Sequence, residues 1–80
     1  MKVIIEAYLS QAIKAREALS DNLDIWENLN EEATNVWSFE YDEEDEEAVD
    51  ESLDFTNSIQ EQLASWGVTD YEIYDEQLIF

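Results

Sequence analysis

The side chains of this protein whose type and spacing most clearly indicate a functional role are six consecutive carboxylates, DEEDEE at residues 42–47. The segment that follows, AVDESLDFTNSIQEQLASWG, stays acidic and has the apolar spacing of a helix. The chain of 80 residues has 22 acidic and 3 basic side chains, which gives a net charge of −19. Because charge of a single sign destabilises a small compact protein, the run is either a solvated surface or a binding surface for a cationic partner.

Metal binding and catalysis are two further roles for clustered carboxylates, and the sequence argues against both. An EF-hand loop needs a glycine at its sixth position, which DEEDEE lacks, so we expect only weak and nonspecific binding of divalent cations. General acid–base catalysis needs a pocket that separates two pKa values, and carboxylates exposed on a helix have no such pocket. The chain has no His, no Cys, no GxSxG motif and no Gly-rich phosphate loop. We therefore expect no metal site, no cofactor and no catalytic residue, and do not expect an enzyme.

The elements that must position these carboxylates follow from hydrophobic periodicity. Alternating apolar residues predict strands, and apolar residues three or four apart predict helices. In chain order, the pattern predicts a strand at 2–9, a helix at 11–20, a strand at 33–41, a helix at 44–66 and a strand around Tyr71 and Ile73. Residues 21–32 fit either a short helix or turns, and the pattern does not place the apolar end at residues 78–80.

Capping signals bound the two predicted helices. Ser10 is the predicted N-cap of the first helix, whose exposed side would carry Lys14 and Arg16. Gly67 directly follows the second helix, where it can adopt the left-handed conformation, and Val68 is placed to close a Schellman motif. The long second helix therefore has a defined end.

This order of elements predicts a single α+β domain over residues 1–80. We expect an antiparallel sheet of three to four strands with two helices packed on one face, in the split βαβ topology of ferredoxin-like folds. Hydrophobic residues make up 45% of the chain and aromatics 12%, which is enough for a core despite the charge. Trp37, Phe39, Phe55 and Trp66 lie on the predicted inward faces and are expected in that core.

Helical angles place a row of carboxylates opposite the apolar stripe of the second helix. At 100° per residue, the side chains that fall within about 60° of one another are Glu43, Glu47, Asp50, Asp54 and Glu61. The acids that broaden this row are Asp42, Glu44, Asp45, Glu46 and Glu51. Counted together along a helix of about 30 Å, they give one charge per about 3 Å, close to the one per about 3.4 Å of a single DNA strand. We therefore predict that these residues bind a partner in the place of phosphates.

In size, composition and its acidic helix DEEDEEAVDESLDF, the chain resembles the small acidic DNA mimics of phages and mobile elements, which include anti-restriction and anti-CRISPR inhibitors. The resemblance implies an inhibitor that occupies the DNA-binding cleft of a host defence nuclease and has no chemistry of its own. The implied partner is a basic nucleic-acid-binding protein, such as a restriction enzyme or a CRISPR effector, in the cytoplasm of the host cell. Direct binding to nucleic acid or to anionic membranes is not expected from a chain of this charge.

Two other interpretations of the acidity stay open. The protein can be an acidic adaptor or assembly subunit that docks on a basic partner without displacing nucleic acid. It can also be a halophile-type domain, in which high salt screens the repulsion. Against uniform acidity, residues 10–20 contain a single acid, Glu17, whereas residues 42–51 contain eight.

Overall fold

The computed structural model describes residues 1–76 and leaves residues 77–80, with the apolar end at 78–80, outside the description. Residues 1–76 contain four strands and three helices in the order β1, α1, α2, β2, β3, α3 and β4. Their bounds are β1 Lys2–Ala7, α1 Ala12–Asp21, α2 Leu23–Trp26, β2 Asn30–Ala33, β3 Val36–Glu40, α3 Glu46–Ser65 and β4 Tyr71–Glu76.

The strands form one antiparallel sheet in the order β2-β3-β1-β4. Two βαβ units interleave in this order, because β3 lies between β1 and β2, and β1 lies between β3 and β4. This is the split βαβ arrangement, and it confirms the predicted α+β class and ferredoxin-like topology.

The central strand β1 has buried residues on both faces. Val3, Ile5 and Ala7 point toward the helices and are buried. Ile4 points to the opposite face and is still only 6% exposed, as its place between two flanking strands requires. The predicted strand at 2–9 therefore exists but ends at Ala7, and a single 3₁₀ turn at Leu9–Gln11 leads into α1.

The predicted strand at 33–41 is wrong in its first part. Residues 34–35 form the turn of a hairpin between β2 and β3, and β2 itself takes up part of the ambiguous segment 21–32. The turn is tied to the central strand, because the Asn35 side-chain amide donates to the carbonyl of Ala7 at 2.8 Å and Ala7 N donates to the carbonyl of Asn35 at 2.9 Å. Long-range hydrogen bonds of this kind leave no trace in local periodicity.

The N-terminus of α1 also differs from the prediction. Ser10 lies within the 3₁₀ turn, and the N-cap position belongs to Gln11, which makes no capping hydrogen bond with its side chain. The Gln11 side-chain oxygen instead accepts from the backbone N–H groups of Thr69 and Asp70, at 3.0 and 2.9 Å. The Gln11 side chain therefore stabilises the segment before β4 and does not cap α1.

Helix α3 closes the core as the sequence predicts. Its buried residues are Ser52, Ile59 and Leu63, which lie on one face. At its end Gly67 has φ +74°, Val68 N donates to the carbonyl of Leu63 at 2.9 Å, and Gly67 N donates to the carbonyl of Ala64 at 3.0 Å. These two bonds form the expected Schellman motif, which satisfies carbonyls that the helix end leaves free.

The aromatic core lies between the sheet and α3. Trp37 is fully buried, and the rings of Phe39 and Phe55 meet edge to face with centroids 4.8 Å apart. Trp66 packs partly buried against the same cluster. Of the four predicted core aromatics, Trp37 and Phe39 are buried in the core, and Phe55 and Trp66 pack against it partly buried. Across residues 1–76, no helix combines the length and apolarity needed to cross a membrane.

Candidate functional site

The outward face of α3 carries Glu47, Asp50, Asp54 and Glu61, all exposed and directly opposite the buried stripe of the helix. The helix fixes the spacing of the Cβ atoms of these residues, because its other face is anchored in the core through Ile59 and Leu63. These four residues are named the α3 acidic face. They are four of the five side chains that the sequence predicts to share a row.

The fifth, Glu43, lies outside the helix. α3 begins at Glu46, so residues 42–45 form a turn, and a helical angle has no meaning for Glu43 or Glu44. Within this turn the Asp42 carboxylate accepts from Glu44 N at 3.0 Å. The Asp45 carboxylate is the N-cap of α3. Two of the ten candidate carboxylates are therefore used to shape the start of the helix.

Asp45 accepts from the N–H groups of Glu47 and Ala48, at 3.0 and 3.4 Å. Glu46 and Glu47 lie in the first turn of α3, where the positive end of the helix dipole favours negative charge. The remaining candidate on the helix, Glu51, lies between the α3 acidic face and the edge of the core. It follows Glu47 by one turn, and it lines a cleft together with Ala48 and Phe55.

The charge density of the α3 acidic face is lower than the sequence count indicates. Glu47 to Glu61 spans about 21 Å of helix, so its four carboxylates give one charge per about 7 Å. This is about half the linear density of one DNA strand. The reason is geometric, because an α-helix brings only every third or fourth residue to the same face. Negative charge is densest at the start of α3, where residues 42–47 are all acidic.

Lys2 and Arg16 pair with acids away from this face, and Lys14 lies near the far end of α3. Lys2 Nζ lies 2.7 Å from Glu32 Oε1, and Arg16 Nε lies 3.1 Å from Glu31 Oε2. The Lys14 ammonium nitrogen lies 3.3 Å from the point that a Cβ on Gly67 would occupy, near the negative end of the α3 dipole. In the part of the chain that the structure describes, no ion pair involves a residue of the α3 acidic face. Its charge is therefore uncompensated within the molecule.

Tyr41 connects the acidic turn to the sheet edge. Its pKa is raised mainly by burial, and next by the charges of Asp75 and Glu43. Carboxylates of β4 and of the turn before α3 thus lie near the same hydroxyl. Asp75 is far from residue 43 in the sequence, so only the fold brings these two acids into one surface.

The sheet face opposite the helices is a second acidic region. Glu6 and Glu72 lie directly across from each other on β1 and β4, and the Tyr74 hydroxyl donates to Glu6 Oε1 at 3.2 Å. Burial, and then this hydrogen bond, raise the pKa of Tyr74. Opposed like charges on neighbouring strands are destabilising, so the sheet also carries repulsion that a fold alone does not need.

At the other end of that face, Lys2 is surrounded by acids. The hydrogen bond from Lys2 lowers the pKa of Glu32, and Ser38 Oγ, 2.7 Å from Glu32 Oε1, lowers it further. The same hydrogen bond to Glu32 is the main cause of the raised pKa of Lys2, with added attraction from Glu76 and Glu40. Glu31 and Glu32 are thus paired within the protein, to Arg16 and Lys2.

No group of three or more acidic side chains among residues 1–76 converges closely enough to hold a metal ion. The acids are spread along a helix and across a sheet. This arrangement suits contact with an extended cationic surface rather than chelation of one cation.

Comparisons with protein families, with curated proteins and with solved structures give no significant match to this chain.

Proposed function

We propose that this protein is a DNA-mimicking inhibitor that occupies the basic DNA-binding cleft of a host defence nuclease, a restriction enzyme or a CRISPR effector, and so excludes DNA. The observation that carries the proposal is the α3 acidic face, a row of carboxylates on an anchored helix with no cation of residues 1–76 paired to it. The protein acts by binding in the cytoplasm and catalyses no reaction.

Pre-organisation of the carboxylates on α3 favours binding to a basic cleft. A DNA-binding cleft presents Lys and Arg side chains, and carboxylates accept charge-assisted hydrogen bonds from Arg in the same bidentate geometry as phosphates. Because the helix fixes the backbone of these residues before binding, only the entropy of the side chains is lost when the carboxylates are engaged. Positive grooves would also attract the chain from a distance, with an association rate that falls as salt rises.

The distribution of charge favours one orientation in the cleft. The acids are densest in residues 42–47 and become sparser toward Glu61. We expect the start of α3 to make the closest contacts, with Asp50 and Asp54 next and Glu61 at the margin. Neither nucleic acid nor an anionic membrane is an expected ligand.

Competition with DNA tests the proposal. The partner is captured from a host lysate on the immobilised protein, eluted in a salt gradient, identified and purified. Its binding to a fluorescein-labelled duplex is then followed by anisotropy as the inhibitor is added. The parent protein should displace the duplex. A partner that keeps its DNA while saturated with this protein would overturn the mimicry proposal.

A fourfold neutralisation locates the binding surface. The variant Glu47→Gln, Asp50→Asn, Asp54→Asn, Glu61→Gln should need a roughly 100-fold higher concentration to displace DNA, at about 0.7 kcal/mol for each exposed charge pair. A control with the same change in net charge alters exposed acids elsewhere: Glu17→Gln, Asp21→Asn, Glu27→Gln and Asp70→Asn. The control should lose less than about fivefold. Equal losses in both variants would mean that net charge, and not the α3 acidic face, drives binding.

An adaptor that docks on a basic partner without displacing nucleic acid is the second candidate. The observation that favours it is the charge spacing of about 7 Å on α3, which is wider than that of a DNA strand and suits many basic surfaces. The competition assay separates the two, because an adaptor leaves the duplex bound. A halophile-type domain is distinguished by its stability, since it would unfold in dilute buffer.

A further inference from the structure

A cleft of about 380 Å³ opens beside the acidic turn, between the first half of α3 and the end of β3. Its walls include Phe39, Tyr41, Ala48, Glu51 and Phe55. This volume is near the lower limit for pockets that hold small ligands, and it is large enough for one long side chain of a partner. The cleft borders the α3 acidic face, because Glu51 in its wall lies one helical turn after Glu47.

Aromatic rings form the inner wall of the cleft. Phe39 is 6% exposed, and its ring meets that of Phe55 edge to face. Phe55 and Tyr41 are half-buried, so part of each ring is accessible from the cleft. Such a wall favours an apolar stem, and an aromatic ring also attracts a cation placed over its face.

The rim of the cleft is negative. Glu51 is exposed and lies three residues after Ala48 and four before Phe55, which places it on the cleft side of α3. Within residues 1–76 it has no ion-pair partner. Glu43 adds its charge near the Tyr41 hydroxyl. An apolar wall under an unpaired carboxylate is complementary to a side chain with an aliphatic stem and a cationic end.

We propose that this cleft receives an arginine side chain of the basic partner, with the guanidinium paired to Glu51 and the stem packed against Phe55 and Ala48. Arginine fits better than lysine because its planar guanidinium is more weakly hydrated, stacks on aromatic rings and binds a carboxylate bidentately. The inference rests on the proposed function in that the partner is a basic protein. It adds a specific anchor to a surface that is otherwise recognised by charge alone.

A peptide titration tests the chemistry directly. The ¹⁵N-labelled full chain is titrated with the blocked peptide acetyl-Gly-Gly-Arg-Gly-Gly-amide, and NMR shifts are followed. We expect saturable shifts at Tyr41, Ala48 and Phe55. The same peptide with citrulline, which keeps the shape of arginine but has no charge, should bind at least tenfold more weakly. The lysine peptide should bind a few-fold more weakly than the arginine peptide.

A pair of matched substitutions tests whether the peptide binds in the cleft. Ala48→Leu adds bulk to the wall without changing charge, and should weaken the arginine peptide at least tenfold. Ala64→Leu is the same substitution at an exposed position about 24 Å further along α3, and should change binding by less than twofold. Glu51→Gln keeps the shape of the cleft and should weaken the peptide at least fivefold, so the test does not depend on the folding of Ala48→Leu alone.

The inference is wrong if Ala48→Leu and Glu51→Gln both bind the arginine peptide as the parent does. It is equally wrong if the citrulline peptide binds as well as the arginine peptide, since the cleft would then be merely apolar. Failure of the proposed function gives a different result. In that case the peptide still occupies the cleft, but the parent protein leaves the partner's DNA in place.

Discussion

Helices α1 and α3 pack against each other on the same face of the sheet, yet they present opposite chemistry to solvent. Gln62 Nε2 of α3 donates to the carbonyl of Ala18 of α1 at 2.8 Å, which ties the two together. The exposed side of α1 carries Ile13, 78% exposed, together with Lys14 and Arg16. The exposed side of α3 carries carboxylates and no basic residue. Acidity in this protein is therefore assigned to particular surfaces and is not a uniform property of its exterior.

The starts of the two helices sharpen the contrast. α3 begins with an Asp45 cap and two acids in its first turn, whereas α1 begins with neither a side-chain cap nor an acid. Acids at the start of α3 thus have a role in folding that needs no partner. Asp50, Asp54 and Glu61 lie beyond the first turn and gain no such stabilisation. The proposal of a binding surface depends most on these three residues.

The largest expected effect on stability comes from removing the charge of the α3 acidic face. The i,i+4 pairs Glu46/Asp50, Glu47/Glu51 and Asp50/Asp54 all repel, and at about 10 mM salt the fourfold variant should gain about 1–2 kcal/mol in its free energy of unfolding. Urea denaturation measures the gain, which should shrink toward zero near 1 M salt. A variant that is no more stable than the parent at low salt would show that these carboxylates do not strain the fold.

The cap of α3 should matter more than the sequence-predicted cap of α1. Asp45→Ala removes both cap bonds and should lower the free energy of unfolding by about 1 kcal/mol. Ser10→Ala, at a position that caps nothing, should change it by less than about 0.3 kcal/mol. The comparison fails if thermal or chemical unfolding shows equal losses for the two variants.

A single charge reversal should change the free energy of unfolding differently on α3 and on α1. Asp54→Lys replaces a repulsive i,i+4 contact with Asp50 by an attractive one, and should stabilise the protein by about 0.5 kcal/mol at low salt. Glu17→Lys on α1 exchanges attraction to Lys14, three residues before it, for attraction to Asp21, four residues after it. The two changes should nearly cancel and give little net gain. Chemical denaturation measures the free energy of unfolding of both variants. A larger increase for Glu17→Lys than for Asp54→Lys would show that charge repulsion is not concentrated on α3.

The smallest effect concerns pH and the Lys2–Glu32 pair. Because the pKa of Glu32 lies below its ordinary 4.5, its stabilising contribution is present above that pH and is lost as pH falls through the lowered pKa. The pKa of Lys2 lies above 10.5, so its contribution is present below that pH and is lost as pH rises through the raised pKa. The difference in unfolding free energy between the parent and Glu32→Gln should thus be constant between these limits and shrink outside them. A constant difference down to about pH 3 would show that the pair does not couple to folding.

Much of the fold could be predicted because its signals are local. The spacing of Ile59 and Leu63 fixed the inward side of α3, and Gly67 followed by Val68 marked its end. The alternation of Trp37 and Phe39 identified β3. The hairpin between β2 and β3 was missed because β2 is an exposed edge strand of sequence NEEA, which has no apolar alternation to detect.

The sequence by itself determined the amount of acid, its concentration after residue 41 and the face of α3 on which Asp50, Asp54 and Glu61 lie, because helical periodicity depends only on neighbouring residues. Tertiary structure decided which acids are neutralised. Lys2 reaches Glu32 and Arg16 reaches Glu31, so the few cations offset the edge strand and leave α3 uncompensated. It also decided that Glu51 turns toward an aromatic cleft. Ion pairs and clefts join residues that are distant in the chain, and local spacing has no information about such contacts.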